Sequence, residues 1–389
     1  MPQTAFTLVK TDAGARFGEL VTPHGLVKTP VFCPVASQAT VKSLAPDDIK
    51  SLGLAMVLAN TYHLYLQPGL GVIEKMGGLH RFMAWDGPIL TDSGGYQVFS
   101  LSQLRRIDDE GVTFRSHIDG SEHRFTPELA VKYQEVLGSD IMMVLDECPP
   151  HDASRDQVDA ATERTHRWAE KCLEAKTRPD SSLYAIVQGG SFSDLRGRSA
   201  RYLATLDFAG YAIGGLSLGE PKSTTLEMVE ASVEFLPPTR PRYLMGVGSP
   251  EDIVEGVARG IDIFDCALPT RVARNGALFT SSGRINIRNA AYRHESGPVD
   301  PACGCYACRT FSAAYMHHLF VAKELLFFRL ATLHNLTFIS VLVEGIRDSI
   351  ASGTFGSFRQ GFMSTYVPTD EHIRIEQKER WLKKQRSAG

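Results

Sequence analysis

The stretch IDIFDCALPTRVARNG, residues 261–276, decides how this chain is read. An apolar run ends in Asp265 and is followed closely by Arg271 and Arg274. A surface loop has no need of the apolar run, and a core strand has no use for the carboxylate. The two fit together if the run is a buried strand whose carboxyl end opens into a pocket. Seven further runs have the same form: TPVFCPVAS (29–37), MVLAN ending at Asn60, PILTD at Asp92, IMMVLDE with Asp146, LYAIVQGG with Gln188, YAIGG with Gly214 and Gly215, and RYLMGVG with Gly246. Near-continuous apolar strands belong to a parallel sheet covered on both faces. The segments between them, such as TPELAVKYQEVLG and TLEMVEASVEFL, carry helical apolar spacing. Eight strand–helix units predict a (β/α)8 TIM barrel, and no Gly-rich dinucleotide fingerprint follows the first strand.

The bulk numbers agree with one large α/β domain over residues 1–389: 43% hydrophobic, 22% charged, net charge −3. No global field favours a polyanion, so an anionic partner must meet a local patch. MPQTAFTLVK lacks the order of a signal peptide, and no apolar run reaches the roughly 18 residues of a membrane helix. Seven cysteines, three of them in CGCYAC, predict reduced thiols and a metal in a cytoplasmic protein. Two insertions interrupt the alternation. VTFRSHIDGSEHRFTP, with its Asp119-Gly120 turn, reads as a β-hairpin. The second, residues 278–334, holds the cysteines.

In a barrel, chemistry sits at the carboxyl ends of the strands, where Asp92, Asp146, Gln188, Gly215 and Asp265 fall. Each lone Asp has the alternative of capping the next helix. Three acids at one mouth shift the reading toward a site, because like charges raise one another's pKa. Two carboxylates serve glycosyl transfer as nucleophile and acid/base. A carboxylate, a Gln amide and backbone amides also match a purine edge, and Tyr96 is placed to stack on a base. Asp262, at the other end of its strand, reads as structural. In GVGSPEDIVEGV, Ser249 reads as N-cap, Pro250 as N1 and Asp252 as the capping-box acid, beside a phosphate-binding alternative. CGCYAC supplies Cys303, Cys305 and Cys308 to a structural zinc ion, with His334, His317 or His318 as the fourth ligand. Arg271, Arg274, Arg284, Arg288 and Arg293, with Lys378, Arg380, Lys383, Lys384 and Arg386 in the tail, make a basic face.

TDSGGYQVFSL, VLDEC, IVQGG, GGLSLGE, YLMGVG, FDCALPTRVARNGALFT and CGCYACRTFSAAYMHHLF…LLFFRLATLHN together resemble the bacterial tRNA-guanine transglycosylases over nearly the whole chain. The resemblance implies a zinc-bearing barrel that exchanges guanine at the wobble position of tRNA anticodons for 7-aminomethyl-7-deazaguanine in queuosine biosynthesis, through a covalent enzyme–RNA intermediate. It implies that Asp265 attacks C1′ of the ribose and Asp92 is the acid/base. Asp146, Gln188 and Gly215 would bind the purine, the Leu216 carbonyl would accept from the aminomethyl group, and Tyr96 would stack, with Ser93 and Met245 also lining the base site. The matching RNA-binding segments are Gly246, Val247, Gly248, Ser249, Pro250, Glu251 and Asp252, and Thr270, Arg271, Val272, Ala273 and Arg274. Cys303, Cys305, Cys308 and His334 match the ligands of one zinc ion per subunit, and no organic cofactor is implied. A homodimer is implied through the helix bearing Phe311, Tyr315 and His318, with Phe311 where the pattern has tryptophan. Leu218 in LSLG and Cys148 favour the small aminomethyl base over queuine. The alternative is a non-catalytic tRNA-binding subunit of the same family, against which both Asp92 and Asp265 are retained. No membrane partner is implied.

Overall fold

The eight runs become the strands of a closed parallel barrel: β1 Val31–Ala36, β2 Val57–Asn60, β3 Ile89–Asp92, β4 Ile141–Met143, β5 Ser182–Val187, β6 Gly210–Ile213, β7 Arg242–Leu244 and β8 Ile263–Cys266. The computed structural model describes residues 5–101 and 105–370. The tail cations Lys378, Arg380, Lys383, Lys384 and Arg386 lie outside the described residues. β8 closes the ring by pairing with β1, Asp265 opposite Cys33. All residues of β2, β5 and β6 are buried, which is why these strands read as continuous apolar runs. β4 and β7 are shorter than their runs; Val144 still donates to the Tyr184 carbonyl (3.1 Å), and beyond it the chain carries Asp146 over the mouth.

The helices start where their caps predict. Thr126 caps Pro127–Leu137, which Gly138 ends in the left-handed region. Ser154 and Gln157 form a capping box on Arg155–Ala175. At the amino ends of the strands a three-stranded antiparallel sheet, Ala5–Asp12, Ala15–Thr22 and Gly25–Thr29, covers the barrel floor. It is fastened by Arg16 Nε to Asp262 Oδ1 (3.1 Å) and by His24 Nδ1 to Asp140 Oδ1 (2.7 Å). Asp262 Oδ2 also accepts from the Arg242 amide (2.8 Å), so its structural reading holds.

Three expectations need correction. The hairpin is a three-stranded sheet: Gly111–Arg115 pairs with Glu122–Phe125 and also with Arg105–Asp108, a charged segment with no apolar alternation to announce it. Its turn runs from Ser116 to Ser121, longer than two residues, with the Ser116 amide on the Ser121 carbonyl. Ser249 and Pro250 do start the helix, but no capping box forms, and the Asp252 carboxylate pairs with Lys222 Nζ (2.8 Å). The chain also contains a helix long and apolar enough to cross a membrane, Leu325–Ser352, but 61% of its most apolar window is buried inside the protein. Arg329 and His334 break the run in the sequence without changing the helix's overall apolar character.

That helix joins two cores. Phe327, Leu330 and Ala331 pack with Leu278, Ile287, Val299 and Ala313 around the cysteines, while Leu336, Ile339 and Ile346 pack with the outer barrel. Residue 334 therefore lies inside a continuous element.

Arg16 and Asp262 are both almost wholly buried. Replacing Asp262 with Ala leaves the guanidinium without its partner, an expected loss of about 3–5 kcal/mol in urea unfolding; a loss below about 1 kcal/mol would show that the pair does not hold the floor to the barrel.

Candidate active site and metal centre

Three carboxylates meet at the carboxyl ends of β3, β4 and β8. Asp92 is held from β2 and the turn after it: Asn60 Nδ2 donates to Oδ2 (2.5 Å) and the Thr61 amide to Oδ1 (3.1 Å). Asp146 accepts from Gln188 Nε2 (2.7 Å). Asp265 Oδ1 accepts from the Tyr243 hydroxyl (2.5 Å) and the Gly246 amide (2.8 Å). Among the described residues no donor reaches its Oδ2, which is left facing the pocket. Glycines make the room. A Cβ on Gly95 would lie 3.0 Å from Asp146 Oδ1, and one on Gly215, where φ is +67°, would lie 2.4 Å from Gln188 Oε1. The glycines of DSGG and GGLSLGE are thus required by close packing of the site's own side chains as well as by turn geometry.

Burial dominates the electrostatics. It lifts Asp92 to about 7, with the charges of Asp265 and Asp146 adding to the rise and the Thr61 and Gly94 amides opposing it. It lifts Asp146 to about 6 against the Gln188 hydrogen bond. Asp265 is also raised by burial, but the Gly246 amide and Tyr243 hydroxyl favour its ionised form. The three side chains thus share a pocket in which one acid is readily kept protonated while another is ionised.

The residues expected to line a base converge here. Ser93 is buried between Asp92 and Gly95, and Tyr96 opens the helix Gly95–Leu101 over the site, its phenol pushed up to about 12 by burial. Met245 follows β7, its amide on the Ile213 carbonyl (3.2 Å), with its sulfur beside Gly214. After β6 the Glu220 carboxylate accepts from the amides of Ser217, Leu218 (2.9 Å) and Gly219 (3.1 Å). Because a trans peptide points its N–H and C=O oppositely, the Ser217 contact turns the Leu216 carbonyl away from Glu220.

The two segments expected to contact RNA are partly interior. Val247, Gly248, Pro250, Glu251, Thr270 and Ala273 are buried; Gly246, Ser249, Asp252, Arg271, Val272 and Arg274 reach the surface. Glu251 and Asp252 both engage Lys222. Residues 270–274 lie in the helix Leu268–Arg274, which places Arg271 and Arg274 beside the mouth.

Cys303, Cys305, Cys308 and His334 bring four ligand atoms within 4.8 Å of one another. His334 Nδ1 lies 3.7, 3.5 and 3.3 Å from the three sulfurs. Ligands at tetrahedral zinc distances stand about 3.6 Å apart, so the donor set fits that ion. His334 Nε2 donates to the Phe279 carbonyl (2.6 Å), which leaves Nδ1 as the ligand atom. His317 is turned to the Ile287 carbonyl instead, and His318 stands near Tyr315, outside the cluster.

Sequence reasoning missed Tyr243, Arg196, Glu220 and Asn335. Tyr243 and Asn335 sit inside a strand and a helix whose patterns mark them only as core, Arg196 on a helix where arginine ordinarily faces solvent, and Glu220 in the loop after β6, where a carboxylate ordinarily reads as surface.

The Asp92 pKa lies above its unfolded value. Between about pH 4 and 7 the folded protein therefore holds a proton that the unfolded chain has lost, and this contribution to stability falls as pH rises through that window. Asp92→Asn is expected to raise the urea midpoint at pH 8, by up to about 4 kcal/mol in stability, and to leave it unchanged at pH 4. Equal midpoint shifts at both pH values would show that the carboxylate is not destabilised by burial.

With this geometry in view, comparison with known proteins is decisive. A family described as Queuine tRNA-ribosyltransferase matches residues 11–368. A protein of that name from Dehalococcoides mccartyi is 61% identical over 380 residues, covering 97% of each chain. One from Pelotomaculum thermopropionicum is 57% identical over 364 residues, covering 93% of this chain and 98% of the relative. One from Herpetosiphon aurantiacus is 52% identical over 389 residues, covering 100% and 99%. A family match along nearly the entire barrel, carried by a chain whose mouth gathers acids suited to glycosyl transfer, leaves one assignment: this chain belongs to the queuine tRNA-ribosyltransferase family.

Proposed function

We propose that this tRNA-guanine transglycosylase, a pentosyltransferase acting on the wobble guanine, works by double displacement, with Asp265 as nucleophile and Asp92 as acid/base. The carrying observation is the asymmetry of Asp265: Oδ1 is held by Tyr243 and Gly246, so Oδ2 is the attacking atom. In the first step Oδ2 bonds to ribose C1′, the bond to guanine breaks, and Asp92 gives its proton to the departing base. In the second, the incoming 7-deazaguanine passes a proton to Asp92 and bonds to C1′ as the Asp265 ester breaks. The bond broken and the bond made are alike, so the exchange calls for no organic cofactor. A pocket closed to water protects the ester from hydrolysis.

The purine lies across Asp146, Gln188 and Gly215. Asp146 accepts from the ring N–H and exocyclic amine, displacing Gln188 Nε2, which then donates with the Gly215 amide to the base carbonyl. The Leu216 carbonyl accepts from an aminomethyl group, Tyr96 stacks on the ring, and Ser93 and Met245 complete the walls. Leu218 obstructs a larger substituent, favouring the aminomethyl base over queuine. The exposed faces of residues 246–252 and 270–274, Arg271 and Arg274 foremost, hold the phosphates and bases beside the wobble nucleotide. The cluster of three cysteines and His334 holds structural zinc. Tyr306 and Tyr315 are exposed around half-buried Phe311, an aromatic face suited to a second copy of the chain; all seven cysteines are free, in keeping with a cytoplasmic setting.

Asp265→Asn is expected to abolish incorporation of labelled guanine into tRNA and the denaturation-resistant protein–RNA adduct, while tRNA binding stays within about threefold; ordinary turnover by this variant would refute the nucleophile. Cys305→Ser is expected to lose the metal measured by elemental analysis and to lower the melting temperature; a variant with full metal content would remove Cys305 from the ligand set.

A further inference from the structure

Arg196, on the helix Ser193–Ala204, is fully buried, yet among the described residues no carboxylate lies within ion-pair distance of it. Its guanidinium is spent on main-chain carbonyls. Nε donates to Gly190 (2.8 Å), Nη1 to Val187 (3.0 Å) and Gly214 (2.7 Å), and Nη2 approaches Gly215 (3.4 Å). These carbonyls come from the ends of β5 and β6 and flank the two residues placed against the purine carbonyl: Val187 and Gly190 bracket Gln188, while Gly214 precedes Gly215. The helix can come this close because Gly189 has no side chain; a Cβ there would lie 2.7 Å from the Arg196 amide nitrogen.

The consequence follows from peptide planarity. With the Gly214 carbonyl fixed on Arg196, the N–H of the same peptide unit, which belongs to Gly215, must point the opposite way. Among the described residues no acceptor meets it, so it is left for a ligand. Without the clamp, a Gly-Gly peptide with its wide conformational freedom would be free to rotate and present a carbonyl in place of the donor. A lysine cannot do the same work, because three donors on one tetrahedral nitrogen do not span four carbonyls held by a planar fork. Burial lowers the arginine's pKa to about 10, which leaves it charged at neutral pH.

We propose that Arg196 is the positioning residue that sets the polarity of the Gly214–Gly215 peptide and thereby makes the site selective for bases carrying a carbonyl at this edge. The proposal rests on the reading of Gly215 as a donor to the base. It is tested with full-length Arg196→Lys, by labelled-guanine exchange into tRNA and by inhibition with 2-aminopurine, which lacks the carbonyl. The expected result is a KM for guanine raised at least tenfold, with kcat at saturating guanine, KM for tRNA and Ki for 2-aminopurine each within about twofold of the unsubstituted protein. An unchanged guanine KM, or equal weakening of guanine and 2-aminopurine, would overturn it. If the unsubstituted protein itself does not prefer guanine to 2-aminopurine, the reading of Gly215 fails, whatever Arg196 does. Should Arg196→Lys not fold, the unsubstituted protein labelled with 15N-glycine decides: one sharp Gly215 amide signal without base, shifting when guanine is added, supports a fixed peptide, and doubled or exchange-broadened signals overturn it.

Discussion

Everything at the mouth of the barrel follows from burying Asp92, Asp146 and Asp265 together. Charged carboxylates removed from water and set near one another oppose folding unless they are hydrogen-bonded or neutralised. This protein gives each a different remedy. Asp92 has an amide and the Asn60 side chain but also feels the other two charges, and it becomes the easiest to protonate. Asp146 has one amide side chain. Asp265 has a phenol and a backbone amide on one oxygen only, so it is fixed in orientation with its second oxygen facing the pocket. The differences in role arise from which donors the neighbouring strands deliver.

Those donors had to come from backbone and neutral side chains. A cation among the acids would keep all of them ionised and quench the acid/base pair. Arg196, a fully buried cation, is turned instead to main-chain carbonyls, that of Gly214 among them. Arg271 and Arg274 stay on the helix after β8, apart from the carboxylates. That helix is fixed from outside the barrel: Asn335 Nδ2 donates to the Pro269 and Ala277 carbonyls (3.0 and 3.1 Å) and its Oδ1 accepts from the Phe279 amide (3.0 Å). The adjacent residue, His334, completes the metal cluster and also reaches Phe279. The cysteine–histidine cluster is thereby continuous with the helix Leu268–Arg274.

The barrel was legible because each buried parallel strand is uniformly apolar and ends in a polar residue, a signal that survives without knowledge of partners. The terminal residues Asp92, Gln188 and Asp265 were legible for the same reason: they break the run. Tyr243 was not, since an aromatic within a strand is indistinguishable from packing until its hydroxyl is seen on Asp265. Arg196 was hidden by its helix, where arginine ordinarily marks the solvent face. The floor sheet was hidden because its three strands are mostly polar on one side and lie before the first barrel run. Which histidine joins the cysteines was open on spacing alone; it is the orientation of three imidazoles that gathers His334 with them, and orientation is a tertiary fact.

Asp262 and Asp265 bring the opening stretch to its physical answer. They are the same residue type, three positions apart and both buried, at opposite ends of one strand. Asp262 has Arg16 and the Arg242 amide on separate oxygens, so both lone-pair sides are committed and the group can only hold the floor in place. Among the described residues, Asp265 has no cation within ion-pair distance and one uncommitted oxygen. Exchanging the two environments would leave a barrel with the same strands and the same acids, but the carboxylate at the mouth would be neutralised by its partner and have no oxygen left to form a bond. What separates the two carboxylates here is the count of donors supplied to each oxygen.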